Sequence, residues 1–310
     1  MAAGIRSGPP RDGHSRRRLV AGAAAGCIAA ATRAALPVTE PQSPGPEAAL
    51  PRRWLRVGDG TRLSLVDTGP QAADGPAPLF FVPGWCMPAS IWQPQIEAFR
   101  GSRRVLALDP RGQGESDVPA EGYTAQRRAD DIAEALDGLP PVVLVAWSLA
   151  VLESLVLFER HGAGRIAGLV LVDNSVGEPP APGPNDFLAR LRAKRRPTLE
   201  NFCRAIFARP QPPQRIEALV EGAMRMPLEA SIRLLSYPYP RERWRDLARA
   251  FPAPLAYVVT TNFAAQAESL AAHRGGTRVE VFRDAGHALF VDDAARFNAF
   301  LGEFGGIRRG

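Results

Sequence analysis

From residue 52 onward the chain alternates between two hydrophobic rhythms. Short, mostly apolar runs at 79–82, 105–108, 142–145, 169–172, 255–259 and 279–282 are bounded by Gly, Pro or charged residues, the texture of strands buried on both faces. Two earlier runs, 53–57 and 62–66, meet through Gly58-Asp59-Gly60 and predict an antiparallel hairpin. Between the runs, apolar residues recur at helical spacing over 91–99, 124–136, 149–160, 264–272 and 294–304. Strands alternating with helices predict an α/β fold: a mostly parallel eight-stranded sheet with helices on both faces. The stretch 176–251 breaks the rhythm, with proline clusters and amphipathic helical segments but no strand, and predicts an inserted helical cap. At 310 residues and 45% hydrophobic composition, the chain has enough apolar material to bury a core of that size. One domain over 51–310 is expected, without internal repeats.

The first 50 residues have a different texture. A polar stretch bearing arginines runs to Arg18, an apolar run follows from Leu19 to Ala31, and small residues surround Thr32-Arg33-Ala34. That three-zone layout predicts a signal peptide over 1–34, with cleavage after Ala34. The apolar run, about 13 residues, is shorter than the roughly 20 a permanent membrane span needs. Ser15-Arg16-Arg17-Arg18-Leu19-Val20 resembles a twin-arginine export signal, which implies passage through export machinery and a periplasmic or secreted location. A lipoprotein anchor at Cys27 is not expected, because the apolar run continues past it. Residues 35–50 are rich in proline and small residues and read as a linker.

Charge location changes the reading of the +6 net charge. The leader holds six arginines against Asp12, which is +5 of the total and leaves +1 for the other 276 residues. A nearly neutral body argues against nucleic acid as a partner. Three cysteines, Cys27, Cys86 and Cys203, form no C-x-x-C or zinc-like spacing, so no metal or redox cofactor is expected. Cys86 and Cys203 are expected as buried free thiols, with a disulfide between them left open.

The segment Val142-Val143-Leu144-Val145-Ala146-Trp147-Ser148-Leu149-Ala150 is a buried run entering a small-x-Ser-x-small turn and then a helix. It resembles the nucleophile elbow of the α/β-hydrolase family, whose glycines are here Ala146 and Ala150. Asp109-Pro110-Arg111-Gly112-Gln113-Gly114-Glu115-Ser116 is similar to that family's D-x-R-G-x-G-x-S loop, a structural element; it lacks the spacing and lysine of a phosphate loop. Phe80-Phe81-Val82-Pro83-Gly84-Trp85-Cys86 resembles its oxyanion loop, with Pro83 in place of a histidine. The resemblance implies an oxyanion hole at the Trp85 and Leu149 amides. Asp284-Ala285-Gly286-His287, near the C-terminus, is where the family keeps its catalytic histidine. His14 lies in the leader, and His161 and His273 read as helix-end surface residues.

A serine hydroxyl is a poor nucleophile until an imidazole accepts its proton, so Ser148 and His287 are the expected pair. The acid is the point of departure: the strand over 255–259 is followed by Thr260-Thr261-Asn262-Phe263, with no carboxylate before Glu268. Some family members carry the acid one strand earlier, which implies Asp173 here. Glu268, or a Ser–His dyad backed by Asn262 or water, stays open. Trp147 and Cys86 are expected beside an apolar substrate pocket under the cap. The run Arg190, Arg192, Lys194, Arg195, Arg196 reads as a solvated helix face rather than an anion site.

The motif order resembles the branch holding carboxylesterases, pimeloyl-carrier methyl esterases and haloperoxidase-like perhydrolases. That implies a cofactor-free serine hydrolase acting on a small, largely apolar ester through an acyl-enzyme. C–C bond hydrolysis, perhydrolysis and a non-catalytic binding protein are the alternatives. An aspartate-nucleophile dehalogenase or epoxide hydrolase is disfavoured by serine at the elbow.

Overall fold

The computed structural model describes residues 50–70 and 75–306. The predicted leader and all of the linker but Leu50 lie outside the described residues.

The strands are β1 (Arg52–Arg56), β2 (Arg62–Asp67), β3 (Leu79–Val82), β4 (Val105–Asp109), β5 (Val142–Trp147), β6 (Ile166–Val172), β7 (Leu255–Thr260) and β8 (Arg278–Phe282). They form one sheet in the order β1-β2-β4-β3-β5-β6-β7-β8. The β1–β2 hairpin and the β2–β4 pair are antiparallel, and all other pairs are parallel. The central strand β5 is buried along its whole length, so its valines and leucine face helices on both sides.

Those helices are α1 (Gln93–Phe99), α2 (Ala125–Ala135), α3 (Leu149–His161), α4 (Phe187–Ala193), α5 (Arg195–Ala205) and α6 (Pro213–Arg225). They continue with α7 (Leu228–Leu234), α8 (Arg241–Ala250), α9 (Ala264–His273), α10 (Leu289–Asp292) and α11 (Ala294–Phe304). Side chains alternate across β5: Val143 and Val145 join one core with α1, α11 and the cap, while Leu144 and Ala146 join the other with α2, α3 and α9. No described helix is long and apolar enough to cross a membrane.

The segment between β6 and β7 carries helices α4 to α8 and no strand, but its last helix is not part of a cap. Trp244 and Ala248 of α8 pack into the same core as Leu155 of α3 and Leu270 of α9, so α8 completes the helical layer on that face. Helical periodicity reports an apolar stripe, not which surface it covers, so the expected cap over 176–251 narrows to the chain carrying α4 to α7.

A buried ion pair ties α2 to α3. Arg128 Nε and Nη2 donate to the Glu153 carboxylate at 2.9 and 3.2 Å, and the side chains are 1% and 0% exposed. Burial pulls the Arg128 guanidinium down, yet the charge and hydrogen bonds of Glu153 together with Tyr237 and Asp131 outweigh it and hold the group above its ordinary value. Removing one member leaves an uncompensated buried charge, so Arg128→Met is expected to cost about 3–5 kcal/mol. The double change with Glu153→Leu is expected to recover most of it, read as urea midpoints at unchanged slope. A single variant within about 1 kcal/mol of the parent would remove this pair from the list of structural determinants.

Candidate active site

The parallel strands all end on one edge of the sheet, and the loops leaving that edge carry the candidate residues. At the end of β5, Ser148 has φ 55° and ψ −122°, a left-handed conformation that costs a non-glycine residue energy and lifts its side chain clear of the sheet. The turn is pinned from both sides. Ser148 N donates to Val172 O at 2.8 Å, and Asn174 Nδ2 and Val151 N both donate to Ser148 O. Ala146 and Ala150 are fully buried, consistent with the small residues that the elbow's crowding demands.

Ser148, His287 and Asp173 come together, although 139 and 114 positions separate the members of the two contacts. His287 Nε2 lies 2.8 Å from Ser148 Oγ, and its Nδ1 lies 2.8 Å from Asp173 Oδ2. Asp173 sits at the end of β6, 1% exposed, in a second left-handed conformation with φ 46°. Its other oxygen, Oδ1, accepts from Thr260 N at 2.6 Å and from Thr260 Oγ1 at 2.9 Å. Thr260 closes β7, where the sequence lacked an acid. That strand end contributes two donors to the Asp173 carboxylate instead. Glu268 is exposed on α9 and Asn262 is exposed just after β7; neither contacts His287.

Two supports of the histidine loop escaped sequence reasoning. Trp147 Nε1 donates to His287 O at 2.8 Å, and the two rings lie 5.1 Å apart. Trp147 is thus a buried prop, packed against Trp92 and Phe290. Asp292 of α10 accepts from Gly286 N and Ala208 N at 2.8 Å and from Arg209 N at 3.3 Å, joining the histidine loop to the cap. The only sequence signal was an acid five residues beyond the histidine.

The loop after β3 lies against the elbow. A Cβ at Gly84 would sit 2.8 Å from Ser148 Cβ, so only glycine fits, and the following amide, that of Trp85, is brought beside the serine. Among the described residues neither the Trp85 nor the Leu149 amide donates to a protein acceptor, leaving both free for an oxyanion. The Trp85 side chain rises into the cap, where Nε1 donates to Ser231 O at 2.8 Å and the ring meets Phe187 and Phe202 edge-on. Cys86 next to it is buried, with φ 57°. Burial drives its thiol far above the ordinary range and pushes Cys203 up to about 12, so both are inert thiols, and both are free. Among the described residues no group of His, Cys, Asp and Glu is placed to hold a metal ion. A cavity of about 550 Å³ opens between Tyr123, Ile232, Tyr237 and Tyr239, and its lining includes neither Ser148 nor His287.

Comparison with known proteins agrees with this architecture. The sequence pattern of the alpha/beta hydrolase family matches residues 79–300, and the chain belongs to that family. It is similar to a non-heme chloroperoxidase of Streptomyces lividans, 38% identical over 122 residues, which are 38% of this chain and 43% of that protein. The matched stretch thus spans less than half of that relative's length. The fold is similar to that of an esterase from Exiguobacterium antarcticum, with a TM-score of 0.70 and 20% identity, covering 81% of this chain and 98% of the other. It is also similar to that of a bromoperoxidase from Bacillus anthracis, with a TM-score of 0.71 and 18% identity, covering 82% and 99%.

Proposed function

We propose that this protein is a serine hydrolase that cleaves a small, largely apolar carboxylic ester through an acyl-enzyme. The observation carrying the reading is the pair of 2.8 Å contacts that place the His287 ring between Ser148 Oγ and the Asp173 carboxylate. With Asp173 accepting the Nδ1 proton, Nε2 is left unprotonated to take the proton of Ser148 as Oγ attacks the ester carbonyl. The negative charge that develops on the carbonyl oxygen is received by the Trp85 and Leu149 amides, and the macrodipole of α3 favours it at the helix N-terminus. His287 then returns the proton to the departing alcohol. Water, deprotonated by the same nitrogen, releases the acid and frees Ser148. Phe187 of α4 and Phe202 of α5, packed on Trp85 within the cap, support an apolar acyl group.

Labelling of the folded protein with a fluorophosphonate, followed by peptide mapping, tests the reading. A single adduct on Ser148 and cleavage of nitrophenyl esters of graded acyl length are expected; a folded protein that takes no label would instead be a binding protein. Likeness to the chloroperoxidase favours a second reading, in which hydrogen peroxide replaces water and the acyl-enzyme yields a peracid. Peracid formation in the same assay, with peroxide added, separates the two.

A further inference from the structure

Gln113 stands in the loop after β4 and has no place in the chemistry above, yet its side chain is buried against the oxyanion loop. Its Nε2 donates to Gly84 O at 3.0 Å and to Met87 O at 2.8 Å. Gly84 O and Trp85 N–H belong to one peptide unit, which is planar and trans, so the two groups point in opposite directions. A donor that grips the carbonyl therefore also sets the direction of the amide.

The orientation of Gln113 is itself determined by its neighbours. Two backbone carbonyls can only accept, so they face the NH₂ end, and Arg128 Nη1, which can only donate, reaches Gln113 Oε1 at 3.3 Å. Arg128 is locked in turn by Glu153 of α3, the helix that begins at the nucleophile. A buried relay thus runs from Glu153 through Arg128 and Gln113 to the Gly84–Trp85 peptide. Among the described residues the one other donor to that carbonyl is Met87 N, at a longer 3.3 Å, and Cys86 between them is in the left-handed region. Hydrogen bonding at a carbonyl also polarises its peptide and strengthens the N–H as a donor.

We infer that Gln113 is a positioning residue for the oxyanion hole, aiming and polarising the Trp85 amide by holding the carbonyl of the same peptide. The inference rests on the ester-hydrolase reading and adds to it a residue that never touches substrate. A role confined to packing would alter stability; a role in the oxyanion hole alters binding of tetrahedral species selectively, because only they carry the charge the amide receives.

The test compares wild type with Gln113→Met and Gln113→Glu, using the best nitrophenyl ester and an alkyl boronic acid of the same chain length as the tetrahedral mimic. Loss of one oxyanion donor is expected to lower kcat by about 10²-fold and weaken boronic acid inhibition by a similar factor, with KM within about threefold. The pH profile of kcat/KM should not move, since His287 and Asp173 are untouched. Gln113→Glu keeps an acceptor for Arg128 but turns a carboxylate oxygen towards the Gly84 and Met87 carbonyls, so both donor contacts are replaced by repulsion. Its losses in kcat and boronic acid affinity should equal or exceed those of the methionine variant, and it carries the test should that variant not fold. Unchanged kcat, or a lower kcat with undiminished boronic acid affinity, overturns the inference and leaves the hydrolase reading standing. A wild type that cleaves no ester and binds no boronic acid overturns both.

Discussion

Ser148→Ala is expected to lower kcat for ester hydrolysis by on the order of 10⁶-fold with little change in KM. Without Oγ no acyl-enzyme forms, and water would have to attack the bound ester directly. His287 would still be placed to deprotonate that water, and the Trp85 and Leu149 amides would still stabilise charge, which sustains roughly 10³–10⁴ over the uncatalysed reaction. His287→Ala is expected to cost about as much. The double variant should be no worse than either, because the two residues act as a unit across their 2.8 Å contact. The check is single-turnover hydrolysis of an activated ester, together with loss of the phosphonate label in Ser148→Ala. A variant lacking Ser148 that kept more than about a hundredth of the activity would rule out covalent catalysis at this position.

The second large effect is expected at Asp173. Asparagine is nearly isosteric, and the direction of its amide is decided by Thr260. Thr260 N–H and Oγ1 both donate to the Oδ1 position, so the asparagine oxygen must stay there and its NH₂ must face His287 Nδ1. Nδ1 then becomes an acceptor, the ring proton moves to Nε2, and the imidazole presents a donor to Ser148 instead of a base. Loss of about 10⁴ in kcat follows from that tautomer alone, with the fold intact. Glu268→Gln, exposed on α9, should leave kcat within about twofold. If Asp173→Asn kept near-parental kcat, the histidine would be working without a carboxylate and the Ser–His dyad would be the correct description.

Much of the molecule is legible in its residue pattern because burial on both faces leaves a continuous apolar run and a covering helix leaves a period near 3.6. Strand β5 is the clear example, since Val142 to Val145 admits no exposed face. The antiparallel edge was readable from Gly58-Asp59-Gly60, where the hairpin closes with Gly60 at φ 87°. Helix α8 was not separable from the cap by the same means. Its stripe of Trp244 and Ala248 is what a helix on either surface would carry, and the partner surface lies on α9 and on α3, the latter far away in the chain.

By itself the sequence determined the alternation of strand and helix, and the local geometry that depends on neighbours in the chain. The crowded turn at Ser148 is of this kind, since it depends on small residues two positions to either side; the glycine at position 84 is not, because what excludes a Cβ there is Ser148 on a different loop. It also narrowed the candidates to one serine, one histidine and a short set of carboxylates. Only the tertiary structure chose among those carboxylates, because the choice is a distance across two strand ends: Asp173, just after β6, reaches His287, and Thr260 on β7 holds it there. It likewise assigned Gln113, Trp147 and Asp292 to the loops they hold. Their partners are backbone carbonyls and amides, which every residue possesses and no side-chain pattern can announce.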